Sequence, residues 1–387
     1  MRYVDFGNLS VLEEQKKRKR RKKLVLSGAF LVGIVLVAII GYFAYAFYWP
    51  LSAALGQILK NPKIALSFFR NPSGQIKSTD GKTNILILGI DKRSNVPYTF
   101  LGPNGQQQHN GFLSDTIIVA SIDQKTKKVS MVSVPRDTWV SLPSWDNFPA
   151  SQGKINSAYS LGDLYDYSGG GLALAENVIS DKLGIPIHYG VRIDFDGFRE
   201  LINTLGGVDI TVERSFDDYE YPIEGKEYAD CFDVTYSCRF KHLHFDAGTT
   251  HMNGETALAY SRSRKGTNGE GSDFARAKRQ QKVIQAVFKK ATSLSNFLDP
   301  IKLNNMSREF GESIESNFDL AALPGAIKLA KGINMNDIQT FVLDPSTQLM
   351  VTGNSDQYGG AYVIIPKNNN WGPVKLKVRA FLGLPSQ

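Results

Sequence analysis

The feature that most constrains this chain is Leu24–Trp49, a run of 26 residues without a single charge. At about 1.5 Å per residue, a helix of that length crosses a hydrocarbon core of about 30 Å with some tilt. Tyr42, Tyr45, Tyr48 and Trp49 gather at its far end, where an aromatic belt meets the membrane–water interface. Pro50 then stops the helix. Eight consecutive basic residues, Lys16–Lys23, stand on the near side. The excess of positive charge fixes the orientation: N-terminus in the cytoplasm, residues 51–387 outside. A cleaved signal peptide is the competing reading, because Ala44-Tyr45-Ala46 has the look of a cleavage site. The run is longer than the roughly 7–15 residues of a signal-peptide core, so we read it as an uncleaved anchor. The expected location is therefore the cell membrane, with a single pass.

Charge follows the same division. The 45 Lys+Arg and 37 Asp+Glu of the 387 residues give +8. Residues 1–23 alone hold nine basic and three acidic side chains, or +6, leaving +2 for the rest. A short basic tail beside a membrane segment is a topology signal or an anionic-lipid contact, not a nucleic-acid surface. A 42% hydrophobic and 11% aromatic composition excludes wholesale disorder. Two cysteines exclude a disulfide-dense scaffold and an iron–sulfur protein.

The domain boundaries follow from composition. Residues 1–23 are a cytoplasmic tail and 24–49 the anchor. Residues 50–80 join an amphipathic stretch to the turn-rich NPSGQIKSTDG, read as a linker. The folded domain runs from 81 to 385. Within it Asn84–Ile90, Thr116–Ile122, Val129–Val134, Tyr189–Ile193 and Val208–Val212 read as strands, the second and third as a hairpin. Late strands are expected at Ile338–Leu343 and Ala361–Ile365. Leu172–Leu183, Phe195–Leu205, Glu255–Ser261, Asp273–Ala291 and Asp319–Lys331 read as helices. Strands alternating with helices predict an α/β domain with helices on both faces of the sheet. Residues 214–244 are polar and irregular and read as a surface insertion.

Common hydrolase, P-loop and zinc-protease motifs are missing from the sequence. What stands out is arginine near a few acids. In the predicted hairpin, Asp115 starts one strand and Arg136 follows the end of the next, so the two meet at one sheet edge. A structural ion pair is the plainer reading of that meeting. Arg262 and Arg264 end a helix, where cations are favourable for dipole reasons alone. Arg276 and Gln280 lie one turn apart at the mouth of the next helix, capped by Ser272 or Asp273, and Val283 and Val287 continue their face. A solvated basic face explains that pattern equally well. Guanidinium forks match phosphate oxygens, and hard carboxylates suit Mg²⁺, so a diphosphate with a divalent cation fits this residue set.

Several long motifs in one order then give the sequence a resemblance. SDTIIVASIDQKTKKVSMVSVPRDTWV, KINSAY, YGVRIDFDGFRELINTLGGVDITV, MNGETALAYSRSR and DFARAKRQQ together resemble the LytR–CpsA–Psr (LCP) family. The motif core covers 84–291, and the resemblance implies that the family fold extends to about 385. The resemblance implies a three-layer α/β/α domain outside the membrane. It implies a phosphotransferase that moves an anionic glycopolymer from a polyprenyl-diphosphate carrier to peptidoglycan. By the same resemblance Asp115 and Asp91 hold Mg²⁺ (or Mn²⁺), while Arg136, Arg262, Arg264 and Arg276 clamp the diphosphate with Gln280 and Lys154. The lipid tail would lie in an apolar tunnel between sheet and helices. About 24 residues separate Asp91 from Asp115, and the 214–244 insertion is not part of the motif pattern. Hydrolysis of the carrier diphosphate by water, and a non-catalytic module that binds lipid-linked polymer, are the competing functions.

Cys231 and Cys238, seven positions apart in the insertion, are expected to pair as a disulfide in an oxidising exterior. A zinc site with His242 and His244 is a second reading, weakened by the spacing. Free thiols are a third. His109, His188 and His251 show no partners in the sequence.

Overall fold

The computed structural model describes residues 75–92, 99–101, 107–109, 111–146, 148–226, 229–293, 313–319, 322–333 and 337–385. The basic tail 1–23, the anchor 24–49 and the first part of the 50–80 segment lie outside the described residues. Among those described, no helix is long and apolar enough to cross a membrane.

The elements in chain order are β1 (Lys82–Ile90), β2 (Thr99–Leu101), β3 (Gln107–His109), β4 (Ser114–Asp123), β5 (Val129–Ser133), β6 (Trp139–Leu142), β7 (Ser151–Lys154), α1 (Ala158–Leu164), α2 (Gly170–Leu183), β8 (Tyr189–Ile193), α3 (Phe195–Thr204) and β9 (Val208–Val212). There follow β10 (Phe216–Pro222), β11 (Phe240–Phe245), β12 (Gly248–Met252), α4 (Gly254–Arg262), α5 (Asp273–Ser293), β13 (Ile314–Ser316), α6 (Leu323–Lys331), β14 (Gln339–Val342), β15 (Met350–Thr352), β16 (Ile364–Pro366) and α7 (Gly372–Leu382).

The central sheet has the order β13–β8–β1–β4–β5–β14. β1 runs parallel to β8 and antiparallel to β4, and β4 and β5 form the predicted hairpin. The strands at the sheet centre are β-branched and apolar on both faces, which is what a sheet covered on both sides requires. Leu86, Leu88 and Ile90 of β1 pack on one face with Leu174 and Val178 of α2 and Val374 and Val378 of α7. Ile85 and Ile87 pack on the other, with Ile284 of α5 and Leu329 of α6. This is a mixed α/β fold with helices on both faces. Full burial of such a side chain contributes about 1.5–3 kcal/mol, so truncating Leu88, 1% exposed, costs about 2–5 kcal/mol.

Two helices beside the sheet owe their start points to single side chains. Asp194 accepts from Gly197 N at 2.9 Å to cap α3, and Asn253 accepts from Thr256 N at 2.9 Å to cap α4. Together α3, α4, β9–β12 and the middle of α5 build a second core, with Ile202, Val208, Phe216, Tyr221, Tyr260 and Val283 inside it.

The reading of 214–244 as an irregular surface insertion needs correcting. Its ends are β10 and β11, paired antiparallel, and Phe216, Asp218 and Tyr221 are buried. The sequence hides this because β10 buries an aspartate where an apolar residue is expected. Cys231 and Cys238 are joined in a disulfide, with Cα atoms 5.7 Å apart. His242 and His244 instead contact Asp217, each at 2.8 Å. The linker reading of 50–80 also ends early: Lys77 N donates to Tyr189 Oη at 2.8 Å, and Thr83 Oγ1 donates to Lys77 O at 2.9 Å. In the stretch between Asp91 and Asp115, β2 and β3 pair as a short hairpin.

Candidate active site

The β1–β4 ladder slips at its end. Gly89 pairs with Thr116, but Ile90 pairs with Ser114, so Asp115 is the extra residue of a bulge. Bulges re-aim a side chain at a sheet margin. Here Asp115 meets Arg136, and the two form a close ion pair. Arg136 follows β5 in a turn held by Thr138, whose N donates to Pro135 O at 3.0 Å. Arg136 Nε also lies 3.5 Å from Asp137, too far for a hydrogen bond, and it is buried without a partner among the described residues. Burial alone would lower Arg136, yet Asp115, Asp137 and Asp273 hold it above its ordinary value.

The opposite wall comes from the α4–α5 connection. Ser272 Oγ accepts from Ala275 N at 3.0 Å, the capping bond that opens α5. That frees the Asp273 carboxylate, which takes a two-pronged bond from Arg264 at 2.9 and 3.3 Å. Arg276, one turn into α5, lies 3.2 Å from Asp273 and is only 7% exposed. Burial pushes the Arg276 guanidinium down to about 10, against the pull of Asp273, and Arg136 and Arg264 add to the lowering. It stays fully charged at neutral pH. Burial raises Asp273, but Arg276, Arg264 and Arg136 outweigh it and hold the carboxyl low. Arg262, the last residue of α4, has no carboxylate partner among the described residues. Its guanidinium lies 3.9 Å from the centre of the Phe195 ring and 3.3 Å from Tyr221 Oη. Burial raises the Tyr221 phenol, so it remains protonated.

These groups surround one cavity of about 750 Å³. Asp91, Asp115, Arg136, Arg262, Arg264, Arg276 and Gln280 all line it. Its inner wall is apolar and comes from five elements: Ile87 of β1, Ile193 of β8, Phe198 of α3, Leu258 of α4, and Val283 and Ile284 of α5. Gly89 also lines it, and a Cβ there would come within 2.8 Å of Thr116 Cβ, so only glycine keeps this approach open. Lys154 is the one predicted residue outside. It pairs with Asp137 at 2.5 Å and faces a shallower recess of about 450 Å³ that shares Asp91, Asp115 and Arg136 with the main cavity.

Two positioning residues escape the sequence reading. Arg279, 2% exposed, donates to Tyr260 O at 2.9 Å, Glu270 O at 2.9 Å, Glu270 Oε2 at 2.6 Å, and Ser263 O. It staples the C-terminus of α4 and the loop after it to α5. Asp218 accepts from Ser263 Oγ at 2.6 Å and from the backbone N of Arg264 and Lys265 at 3.2 Å each. The only sequence signal for Arg279 is its place three residues after Arg276 on the same helix. Asp218 carries none.

Toward a metal, Asp91 and Asp115 are two hard-oxygen donors lining the same cavity, Asp115 being also the partner of Arg136. Among the described residues no group of three His, Cys, Asp or Glu side chains could hold a metal alone. Two carboxylates suit a cation that takes its other oxygens from water and a bound phosphate, the habit of Mg²⁺. The residues therefore fit Mg²⁺ or Mn²⁺ delivered with, or completed by, a phosphate ligand.

Comparison with known proteins bears on the family and the fold. The chain matches the LytR_cpsA_psr family over residues 57–371. It is 30% identical, over 94% of its own length and 80% of the relative's, to the polyisoprenyl-teichoic acid–peptidoglycan teichoic acid transferase TagV of Bacillus subtilis strain 168. The crystal structure of B. subtilis TagV superposes with a TM-score of 0.52 at 28% identity, covering 80% of this chain and 100% of that one. The protein gbs0355 of Streptococcus agalactiae, at 22% identity, shares the fold with a TM-score of 0.57, covering 82% of this chain and 90% of that one. A family match over residues 57–371, with 30% identity to a relative along 94% of the chain, places this protein in the LytR_cpsA_psr family.

Proposed function

We propose that this chain is a membrane-anchored, extracytoplasmic phosphotransferase. It moves an anionic glycopolymer, of the kind in the name of its TagV relative, from a polyprenyl-diphosphate carrier to peptidoglycan. The observation that carries this reading is the cavity itself, whose lining joins four arginines to a wall of Ile, Leu, Val and Phe. An amphipathic ligand with a doubly charged head and an apolar tail matches both halves. The single-pass anchor read at 24–49 would hold the domain beside the membrane in which such a carrier resides.

In this reading Arg136, Arg262, Arg264 and Arg276 bind the diphosphate and Gln280 assists. Arg262 is held by two aromatic rings and gives one hydrogen bond to Tyr221 Oη, which leaves its other donors for the ligand. A hydroxyl oxygen of peptidoglycan forms a bond to the polymer-bearing phosphorus, the bridging P–O bond to polyprenyl phosphate breaks, and the hydroxyl proton passes to the departing phosphate or to solvent. Negative charge grows on the departing phosphate, where preset guanidinium groups stabilise the transition state without reorganising. Asp91 and Asp115 would hold Mg²⁺ or Mn²⁺, which would supply charge neutralisation at the phosphate oxygens. Asp137 is a poor candidate for the base, since Lys154 and Arg136 both claim its carboxylate. Lys154 belongs to the recess on the far side of Arg136, so its part in holding the diphosphate is secondary.

The test is a transfer assay with the full chain in proteoliposomes, lipid-linked polymer and added peptidoglycan, with Mg²⁺ or with chelator. Label fixed on peptidoglycan only when the divalent cation is present is the expected result. Free polymer phosphate alone would identify a hydrolase. Carrier binding without either product would identify a binding module.

A further inference from the structure

The loop joining β10 to β11 displays apolar side chains that the protein itself does not cover. Phe232 is 114% exposed and Val234 94%, the two highest values among the exposed large apolar residues described. They sit inside the Cys231–Cys238 disulfide, so the loop cannot fold them back freely. Asp233, between them, is turned to internal work: it accepts from Thr235 N at 2.9 Å, Ser237 N at 3.1 Å and Ser237 Oγ at 2.7 Å. Arg239 closes the base, donating to Ala229 O at 2.9 Å and lying 4.1 Å from the Tyr236 ring centre. A disulfide-closed loop that leaves a phenyl ring and a valine in water marks an interaction site, because surplus apolar exposure is otherwise avoided.

Its roots identify the partner. Pro222 and Phe240 face each other where the loop leaves the β10–β11 ladder, and both line the large cavity. The exposed tip is thus continuous, through one strand pair, with the rim of the apolar chamber. In the anchored reading, residues 50–74 tether the first described residue to the uncharged run 24–49, and the bilayer is the surface within that tether's reach. Between Ile223 and Arg239 there are four acidic and two basic side chains, so charge does not draw this loop to anionic lipid. We propose that the Cys231–Cys238 loop is a membrane-docking tip that seats Phe232 and Val234 in the interfacial zone of the phospholipid bilayer, beside the cavity mouth. Shallow apolar insertion is the mode by which phenylalanine and aliphatic side chains hold an interface. The disulfide presets the tip, which limits the ordering cost of docking. The proposal rests on the lipid-linked substrate and anchored topology given above, and it adds how the mouth is aligned with the lipid.

The test uses the full chain in phosphatidylcholine nanodiscs, with and without dibrominated acyl chains. Emission added by Val234→Trp over wild type is expected to fall at least twofold with brominated lipid. Emission added by Leu376→Trp, an exposed site on α7, is expected not to change. Equal insensitivity at both positions overturns the proposal, and would leave a protein partner as the use of the loop. A second arm compares Phe232→Ser/Val234→Ser with wild type. The KM for a long-chain carrier embedded in vesicles is expected to rise several-fold with kcat unchanged, and turnover of a short-chain soluble carrier is expected to match wild type. Equal loss on both carriers overturns docking. If wild type turns over neither carrier, the transfer reading fails while the quenching arm still decides the docking.

Discussion

Two arginines on α5, three residues apart, are both buried and yet live in different worlds. Arg279 spends its guanidinium on three backbone carbonyls and a carboxylate. Arg276 has Asp273 on one side and the cavity on the other. Burial lowers both pKa values, so titration behaviour does not tell them apart. What does is where the donors go. A buried cation whose every nitrogen donates within the protein is a structural staple, and removing it leaves carbonyls and Glu270 without partners. A buried cation with donors facing an open chamber is held in readiness for an anion.

The largest expected effect that would break this contrast is on catalysis. Arg276→Ala should cut transfer about 10²–10³-fold, the loss typical of one preset oxyanion donor, with melting little changed. Steady-state kinetics beside a thermal melt would measure it; a variant that unfolds but transfers normally when folded would reverse the assignment. Next, Arg279→Ala should cost about 3–5 kcal/mol of stability, seen as a lower denaturant midpoint. Arg279→Lys should not restore it, since one ammonium cannot reach partners on Tyr260, Ser263 and Glu270 at once. Asp218→Ala should come third. It leaves the N–H groups of Arg264 and Lys265 without an acceptor, costing about 1–3 kcal/mol, and it should raise the KM for carrier because the loop carrying Arg264 loosens.

The smallest effect is pH-dependent. Asp273 has a depressed pKa in the fold, so it contributes stability above its ordinary value of 3.8 and loses it as pH falls through the lowered one. The gap between wild type and Asp273→Asn should be about 1 kcal/mol at pH 5 and above, and should shrink below pH 4. A gap that widens on acidification would mean the carboxyl is protonated in the fold.

The same contrast explains what the sequence makes legible. Strands β1, β4, β5, β8 and β9 are apolar runs bounded by turns, and each is found near its predicted place. The Asp115–Arg136 pair is readable because a hairpin joins strand start to strand end. The bulge that aims Asp115 is not, since it depends on pairing register. The four arginines proposed to clamp the diphosphate, and Gln280, stand out as residue types. Arg279 is the same type in the same helix, and only the positions of the Tyr260 and Ser263 carbonyls separate it from them. The apolar wall is invisible for another reason: five elements contribute one or two residues each, and all but Ile193 already have a use as core. Strand β10 and helices α1 and α7 lack a clean period; β10 buries Phe216, Asp218 and Tyr221 at uneven spacing, and α7 buries Arg379 beside Val378.

The central claim is that the arginine-rimmed cavity holds a lipid diphosphate. Its most direct test is the affinity of the full chain for polyprenyl diphosphate, measured for wild type and for Arg262→Ala/Arg276→Ala, with circular dichroism confirming that both are folded. Tenfold or greater weakening in the double variant, with affinity for a neutral polyprenol unchanged, is the predicted result. Equal diphosphate affinity in the two proteins would contradict the account.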